Sequence, residues 1–230
     1  MGLFQSRRDS LHNAYNKVNG VALSLLLDPK DISIMSRRRI RFMANLQSPG
    51  LWLFVGGLEM LFMVHLSEFL YPGYSVSSNF ISDLGVGPAL SRGIFTAGLL
   101  IFGLLALIVA ALLRRQYGRS LLWPFLALSG IGAMGVAIFN ENDLPEAHAF
   151  FALLAFLFGN FAVVYSHRMV RRPLNYIFMF LGLVGLVSLI LFGLGVNLGL
   201  GAGGMERMVF YPPMFWAIGF GAYLLARQNQ

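Results

Sequence analysis

SEFLYPGYSVSSNFISDLGVGP, residues 67–88, is the one long polar stretch in a chain that is otherwise almost all apolar. It carries Glu68, Tyr74, Ser75, Ser77, Ser78, Asn79, Ser82 and Asp83 within a single connection. Before it lies an apolar run from Pro49 to Leu70, and a second one follows from Gly93 to Leu113. Each run supplies roughly 20 residues, the length that crosses about 30 Å of hydrocarbon as a helix. The polar stretch therefore reads as the loop between two membrane spans, and the rest of the chain repeats the pattern.

Four further apolar segments lie near Leu121–Phe139, Glu146–Tyr165, Leu174–Leu198 and Val209–Ala226. None shows the alternation of a barrel strand, and only helices and closed barrels satisfy their backbone in lipid. The expected fold is all-α, an integral membrane bundle of six transmembrane helices over residues 49–226. Composition agrees with it. The chain is 57% hydrophobic and 12% charged, where a soluble domain carries about a quarter charged residues. Its mean hydropathy is +0.69.

Arginine placement sets the expected orientation. Arg37, Arg38, Arg39 and Arg41 precede the first span. Arg114, Arg115 and Arg119 join spans two and three, Arg168, Arg171 and Arg172 join spans four and five, and Arg227 follows span six. All fall on one side, against Arg92 and Arg207 on the other. The positive-inside rule then puts both termini in the cytoplasm. It also explains the net charge of +7 without nucleic acid, since the arginines flank spans instead of forming a binding stripe. The acids behave oppositely: Glu68, Asp83, Glu141, Asp143, Glu146 and Glu206 all fall on the outer side, and Glu59 alone lies within a span. The absence of cysteine excludes disulfides, thiolate catalysis and Cys-ligated zinc.

Residues 1–48 read as an N-terminal cytoplasmic extension and 227–230 as a short cytoplasmic tail. Lys17 and Lys30 lie in the first 34 residues, and every later basic residue is arginine. Met35 followed by three arginines looks like a start just before a first span. Residues 1–34 are accordingly expected to be a weakly ordered extension or leader, with an interfacial helix around Leu11–Leu27 as the alternative.

Candidate chemistry collects on the outer side. Asn79 can cap a short helix through Leu84, with Gly85 as its stop, which would leave Asp83 at a helix end where the dipole disfavours an anion. Solvation, pairing with Arg92 or Arg207, a metal or a protonation role would each account for it. Asp143 and Glu146 have capping-box spacing around Pro145. His148 lies about one turn inside span four, where it serves as packing residue, general base or ligand. His65 and Glu68 share a face of span one. With Asp83 and His148 they make a four-ligand set for a metal ion, without a recognised ligand spacing. Glu59 needs a proton, a partner such as Asn160 or Asn197, or a place in an ion path. Glu206-Arg207 opens the last span, and Arg207 is the candidate to hold Asp83 or a lipid phosphate. Pro212 and Pro213 are expected to bend that span or delay its start.

The combination of Asn79-Phe-Ile-Ser-Asp83-Leu-Gly85, a second outer loop with Pro145, Glu146 and His148, and Gly203-Gly-Met-Glu206-Arg207 with Tyr211-Pro212 resembles family nine-nine-eight of the prokaryotic domains of unknown function. The resemblance covers residues 50–226. It implies small polytopic membrane proteins, common in archaea, with six helices, and it implies no activity. The Ile-Ser-Asp83-Leu-Gly stretch is also faintly similar to a loop of the Frag/DRAM/Sfk group, linked to lipid handling. Intramembrane ceramidase-type hydrolases likewise gather Ser, Asp and His, but this chain lacks the three outer histidines that their zinc requires.

Three functions remain open on this reading, all in a multi-pass protein of the cell membrane. One is binding of lipid head groups, or service as an accessory subunit of a membrane complex or homo-oligomer, through Glu68, Ser78, Asn79, Asp83, His148, Glu206 and Arg207. Another is lipid modification by an intramembrane, hydrolase-like enzyme using Asp83, His148 and Glu206. The third is transport through Glu59. The first reading expects Asp83, His148, Glu206 and Arg207 to converge on the outer face.

Overall fold

The computed structural model describes residues 46–228, all helix and connection with no strand among them. Six long helices follow one another: α1 Pro49–Phe69, α2 Ala89–Gln116, α3 Leu122–Ile138, α4 Pro145–Ser166, α5 Leu174–Gly193 and α6 Ala202–Gln228. A single 3-10 turn, Ser82–Gly85, interrupts the α1–α2 connection. Five helices are long and apolar enough to cross a membrane; α3, with 17 residues, is shorter. At 1.5 Å per residue α3 measures about 25 Å, some 5 Å less than the hydrocarbon core.

Local sequence sets the helix starts. Pro49 and Pro145 open α1 and α4, where a missing N–H costs nothing and the fixed φ favours the helix. The Asp143–Glu146 capping box does not form. Leu144 is the N-cap, Asp143 instead accepts the Asn140 Nδ2–H at 2.5 Å, and Glu146 is exposed. Two span boundaries also differ from expectation. α5 stops at Gly193, well before Leu198, because Gly195 takes φ +71°. α6 begins at Ala202, seven residues before Val209, and runs through Pro212 and Pro213. Pro213 has no N–H to give the Val209 carbonyl four residues back. Asn160 of α4 takes over that role: its Nδ2 donates to Val209 O at 3.2 Å and to Phe156 O at 2.9 Å.

The helices form a ring in sequence order, each packing on the next, and α6 closes the ring against α1. α6 also touches α4 across the middle, so it is the most enclosed of the long helices. Glycine allows the closure. A Cβ on Gly50 of α1 would lie 2.7 Å from Gly221 O, and one on Gly221 of α6 would lie 2.7 Å from Gly50 O, so the two backbones meet directly. Two apolar clusters fill the ring. One, around Trp216, Phe220, Leu113 and Leu122, lies towards the end with Arg114, Arg168 and Arg227. The other, around Met60, Val64, Leu84, Phe95 and Met214, lies under the first loop. Trp216 Nε1 donates to Ser166 Oγ at 2.7 Å, which satisfies the one polar atom of the largest buried side chain.

Candidate functional site

The first loop folds back onto the start of α6. Ser77 O accepts the Gly203 N–H at 2.9 Å, and Ser77 Oγ donates to Leu200 O at 2.7 Å. Gly203 is required there, since a Cβ would sit 1.9 Å from Asn79 O. Arg207, one helical turn further on, ties the two segments together. Its Nη1 donates to the carbonyls of Val76 (2.9 Å), Asn79 (3.2 Å) and Gly203 (2.9 Å). Its Nη2 donates to Glu68 Oε1 at 2.5 Å and to Tyr74 Oη at 2.7 Å. The pair is buried, with Arg207 3% and Glu68 11% exposed. Tyr74 in turn donates to Phe80 O at 2.7 Å, and burial pushes its hydroxyl above the ordinary phenol range, so it remains a donor. The ion pair offered by the sequence, Asp83 with Arg207, is thus replaced by Glu68 with Arg207. Glu68 ends α1 facing α6, whereas Asp83 points elsewhere.

Asp83 stabilises its own turn. Its Oδ2 accepts the Phe80 N–H at 3.0 Å and the Asn79 Nδ2–H at 2.8 Å. It lies in the first turn of the 3-10 element, so the unfavourable dipole expected of it does not arise. Asn79 does not cap that turn; its Oδ1 accepts the Ser75 N–H at 3.0 Å. Beside Asp83 lies Glu141 of the α3–α4 connection. Burial, together with the Asp83 carboxyl, raises the Glu141 pKa above its ordinary value, against opposing contributions from Ser82 and His148. Glu206 is 5% exposed and accepts the Ile81 N–H. His148 is 9% exposed, and its Nδ1 approaches Phe139 O at 2.9 Å. A carbonyl only accepts, so Nδ1 carries a proton and donates to it.

Ser82, His148 and Glu206 line one end of a cavity of about 80 Å³ inside the ring. From there it runs past Met60, Phe102, Val136, Phe156 and Met214 to Leu53, Leu126 and Trp216. Along α6 its lining extends from Glu206 to Ala217. Eleven residues of helix make this about 16 Å. The hydroxyl of Ser129, part-way down, already donates to Ala155 O at 3.0 Å. The cavity is therefore an apolar slot with its free polar chemistry at one end.

Several expected residues lie elsewhere. His65 is exposed, bonded to its own helix at Leu61 O and stacked on Tyr211. α1 packs on α2 and α6, so His65 does not approach His148 on α4. His65, Glu68, Asp83 and His148 do not come together, and the described residues contain no cluster of three or more potential metal ligands. Ser78 is exposed and bonds Ser75. Arg207 and Glu68 form the clasp and do not line the cavity. Glu59 lies beside Gly98 of α2, both carboxylate oxygens buried without a partner; Asn160 is engaged with Phe156 and Val209, and Glu59 is also absent from the cavity lining. Glu141, Ser82 and Tyr74 are participants that the sequence shows only as polar residues of the outer loops, without a role. Nothing in Asn140-Glu141-Asn142-Asp143 distinguishes the inward acid from the outward one.

The whole helical unit, from within α1 to within α6, matches a known family. The match to the family described as protein of unknown function, DUF998, extends over residues 54–223. No curated protein and no solved structure matches the chain. The chain belongs to the DUF998 family.

Proposed function

We propose that this protein binds a lipid whose polar end lies against Ser82, His148 and Glu206 and whose chain enters the axial slot, the helices parting to admit it because the slot at rest holds about 80 Å³. In the same reading the protein lies in the cell membrane with six crossings and both termini in the cytoplasm. The arginines at the α2–α3 and α4–α5 connections and at Arg227 support that orientation. The observation that carries the binding reading is the slot itself, lined mostly by apolar side chains, following α6 from Glu206 to Ala217, with Ser82, His148 and Glu206 at one end. Interior apolar volume in a bundle costs stability unless it is filled. The clasp of Arg207, Glu68 and Tyr74 holds the first loop over the end where the polar head would lie.

The test is native mass spectrometry of protein extracted in mild detergent, beside Ala152→Phe, which places a ring in the slot. A lipid bound one per chain to the parent, and lost from a folded Ala152→Phe, is the expected result. A parent free of lipid under conditions that keep it folded would overturn the reading.

A second reading, lipid hydrolysis, is favoured by one observation: Asp83 and Glu141 lie side by side near Ser82 and His148, so an acid and a base adjoin the slot. Release of free fatty acid from acyl esters by the parent, lost in both Asp83→Asn and Glu141→Gln, would support it. No release above a protein-free control would remove it.

A further inference from the structure

A groove runs between α2 and α3, at the end of the bundle that carries Arg114, Arg168 and Arg227. Its walls are Leu107, Ala110 and Ala111 of α2 and Trp123 and Ala127 of α3, and Arg114 and Arg115 stand at its mouth. Ala111, Arg114 and Arg115 are exposed, so the groove opens sideways onto the surroundings of the helices. From Leu107 to Arg115 it follows α2 for eight residues, about 12 Å. Three of its walls are alanines, and its volume is about 520 Å³, against about 80 Å³ for the axial slot. The upper part of an acyl chain fits there without movement of the helices, and the remainder continues into the bilayer.

The α2–α3 turn holds the mouth in place. Trp123 Nε1 donates to Gly118 O at 3.3 Å, which fixes the indole against the connection. The Arg114 guanidinium lies over that ring, 5.1 Å from its centroid. A guanidinium stacked by its face keeps its N–H edge for an oxyanion. Arg114, Arg115 and Arg119 have no ion pair among the described residues, where the sole ion pair is Glu68 with Arg207 at the other end. The helix ends do not offset this charge. The last turn of α2 contributes about half a negative charge and the first turn of α3 about half a positive one, so the two arginines leave the mouth at about +2. A phosphodiester supplies the opposite charge and an oxygen for each arginine.

We infer that the α2–α3 groove holds one anionic phospholipid, its phosphate on Arg114 and Arg115 and the start of one acyl chain between Ala111 and Ala127. This site is separate from the axial slot and stands whether or not the slot takes a lipid. A choline head is disfavoured, because it sets a quaternary ammonium beside two guanidiniums.

The probes are phosphatidylglycerol and phosphatidylcholine of identical chains. Their binding to the full chain in mild detergent is followed by native mass spectrometry, with thermal shift in parallel. An arginine beside an anionic lipid contributes about fivefold in affinity, so a preference of roughly 25-fold for phosphatidylglycerol is expected, at one per chain. Arg115→Gln should lower that preference about fivefold and the Arg114→Gln/Arg115→Gln pair should abolish it, whereas Arg171→Gln, at the same end but outside the groove, should leave it unchanged. Ala111→Trp, at an exposed position, fills the groove and should remove the bound phosphatidylglycerol from a folded protein. Ala152→Phe, which fills the axial slot, should not, so the two lipid sites fail or stand separately. Equal binding of the two lipids, or a loss in Arg171→Gln as large as in Arg115→Gln, overturns the inference in favour of a diffuse charged collar. A rise in Tm with inorganic phosphate equal to that with phosphatidylglycerol overturns it in favour of a plain anion site. A dimer that Ala111→Trp splits overturns it in favour of a second copy of the chain.

Discussion

Removing Glu68 tests the clasp. Glu68→Ala leaves the Arg207 guanidinium 3% exposed, with three carbonyls and the Tyr74 hydroxyl around it but no counter-charge. Breaking one side of a buried ion pair costs about 3–5 kcal/mol. Because Glu68 is 11% exposed and the carbonyls remain, the lower end applies, about 3 kcal/mol. For a chain of this length that corresponds to a fall in Tm of about 6–12 °C. The assay is thermal unfolding in detergent, followed by tryptophan fluorescence, for Glu68→Ala, Arg207→Met and the double variant. The two single losses should not add, since each removes the same pair, and a coupling of about 2 kcal/mol or more is expected. A Glu68→Ala protein melting within about 1 °C of the parent would refute a clasp built on this pair, because that is the behaviour of an exposed charge. Additive losses in the double variant would refute it equally.

Other contacts yield sharper local tests. Gly203→Ala drives a methyl into Asn79 O and should release the first loop, read as new protease cleavage between residues 71 and 80; an uncut loop would contradict the docking. Asn160→Leu orphans Val209 O and should cost about 1–3 kcal/mol, whereas in a Pro213→Ala background the restored N–H should recover part of it; equal costs in both backgrounds would deny the substitution of Asn160 for the missing N–H. Glu141 has a folded pKa above its unfolded one, so the native state holds more protons in the window between them. Stability should therefore fall as pH rises through that window, and Glu141→Gln should flatten the dependence in pH-melting curves; an unchanged slope would place Glu141 in solvent.

The helices were legible because long apolar runs without alternation satisfy their backbone in lipid as helices, and five of them are long enough to cross. Their ends were less so. Pro212-Pro213 reads as a bend or a delayed start, yet α6 begins at Ala202 and passes through both, because a side chain on α4 supplies the hydrogen bond that proline cannot. That supplier, Asn160, is 49 positions away from Val209, and no local pattern announces it. Within the site, the inward placement of His148 followed from its position one turn inside α4, whereas the burial of Glu206 and Arg207 did not, because the last span was expected to begin only at Val209 and α6 begins at Ala202. Nor did the pairing. Glu68 and Asp83 are both acids near Arg207 in the sequence pattern, and only the packing of α1 against α6 decides for Glu68. The metal set failed for the same reason, since it needed α1 beside α4. Glu141 went unselected because loop acids owe their direction to backbone turns that composition does not encode.

The most direct test of a lipid-binding slot is photolabelling in nanodiscs with a phosphatidylcholine that carries a diazirine at mid-chain, followed by peptide mapping. Adducts on Met60, Phe156, Phe210 or Met214, inside the ring, are predicted, and they should be lost in Ala152→Phe. Adducts confined to the outward face, at Phe180, Val187 and Ile190, would contradict the account, because a chain dissolved in the surrounding bilayer labels only that face.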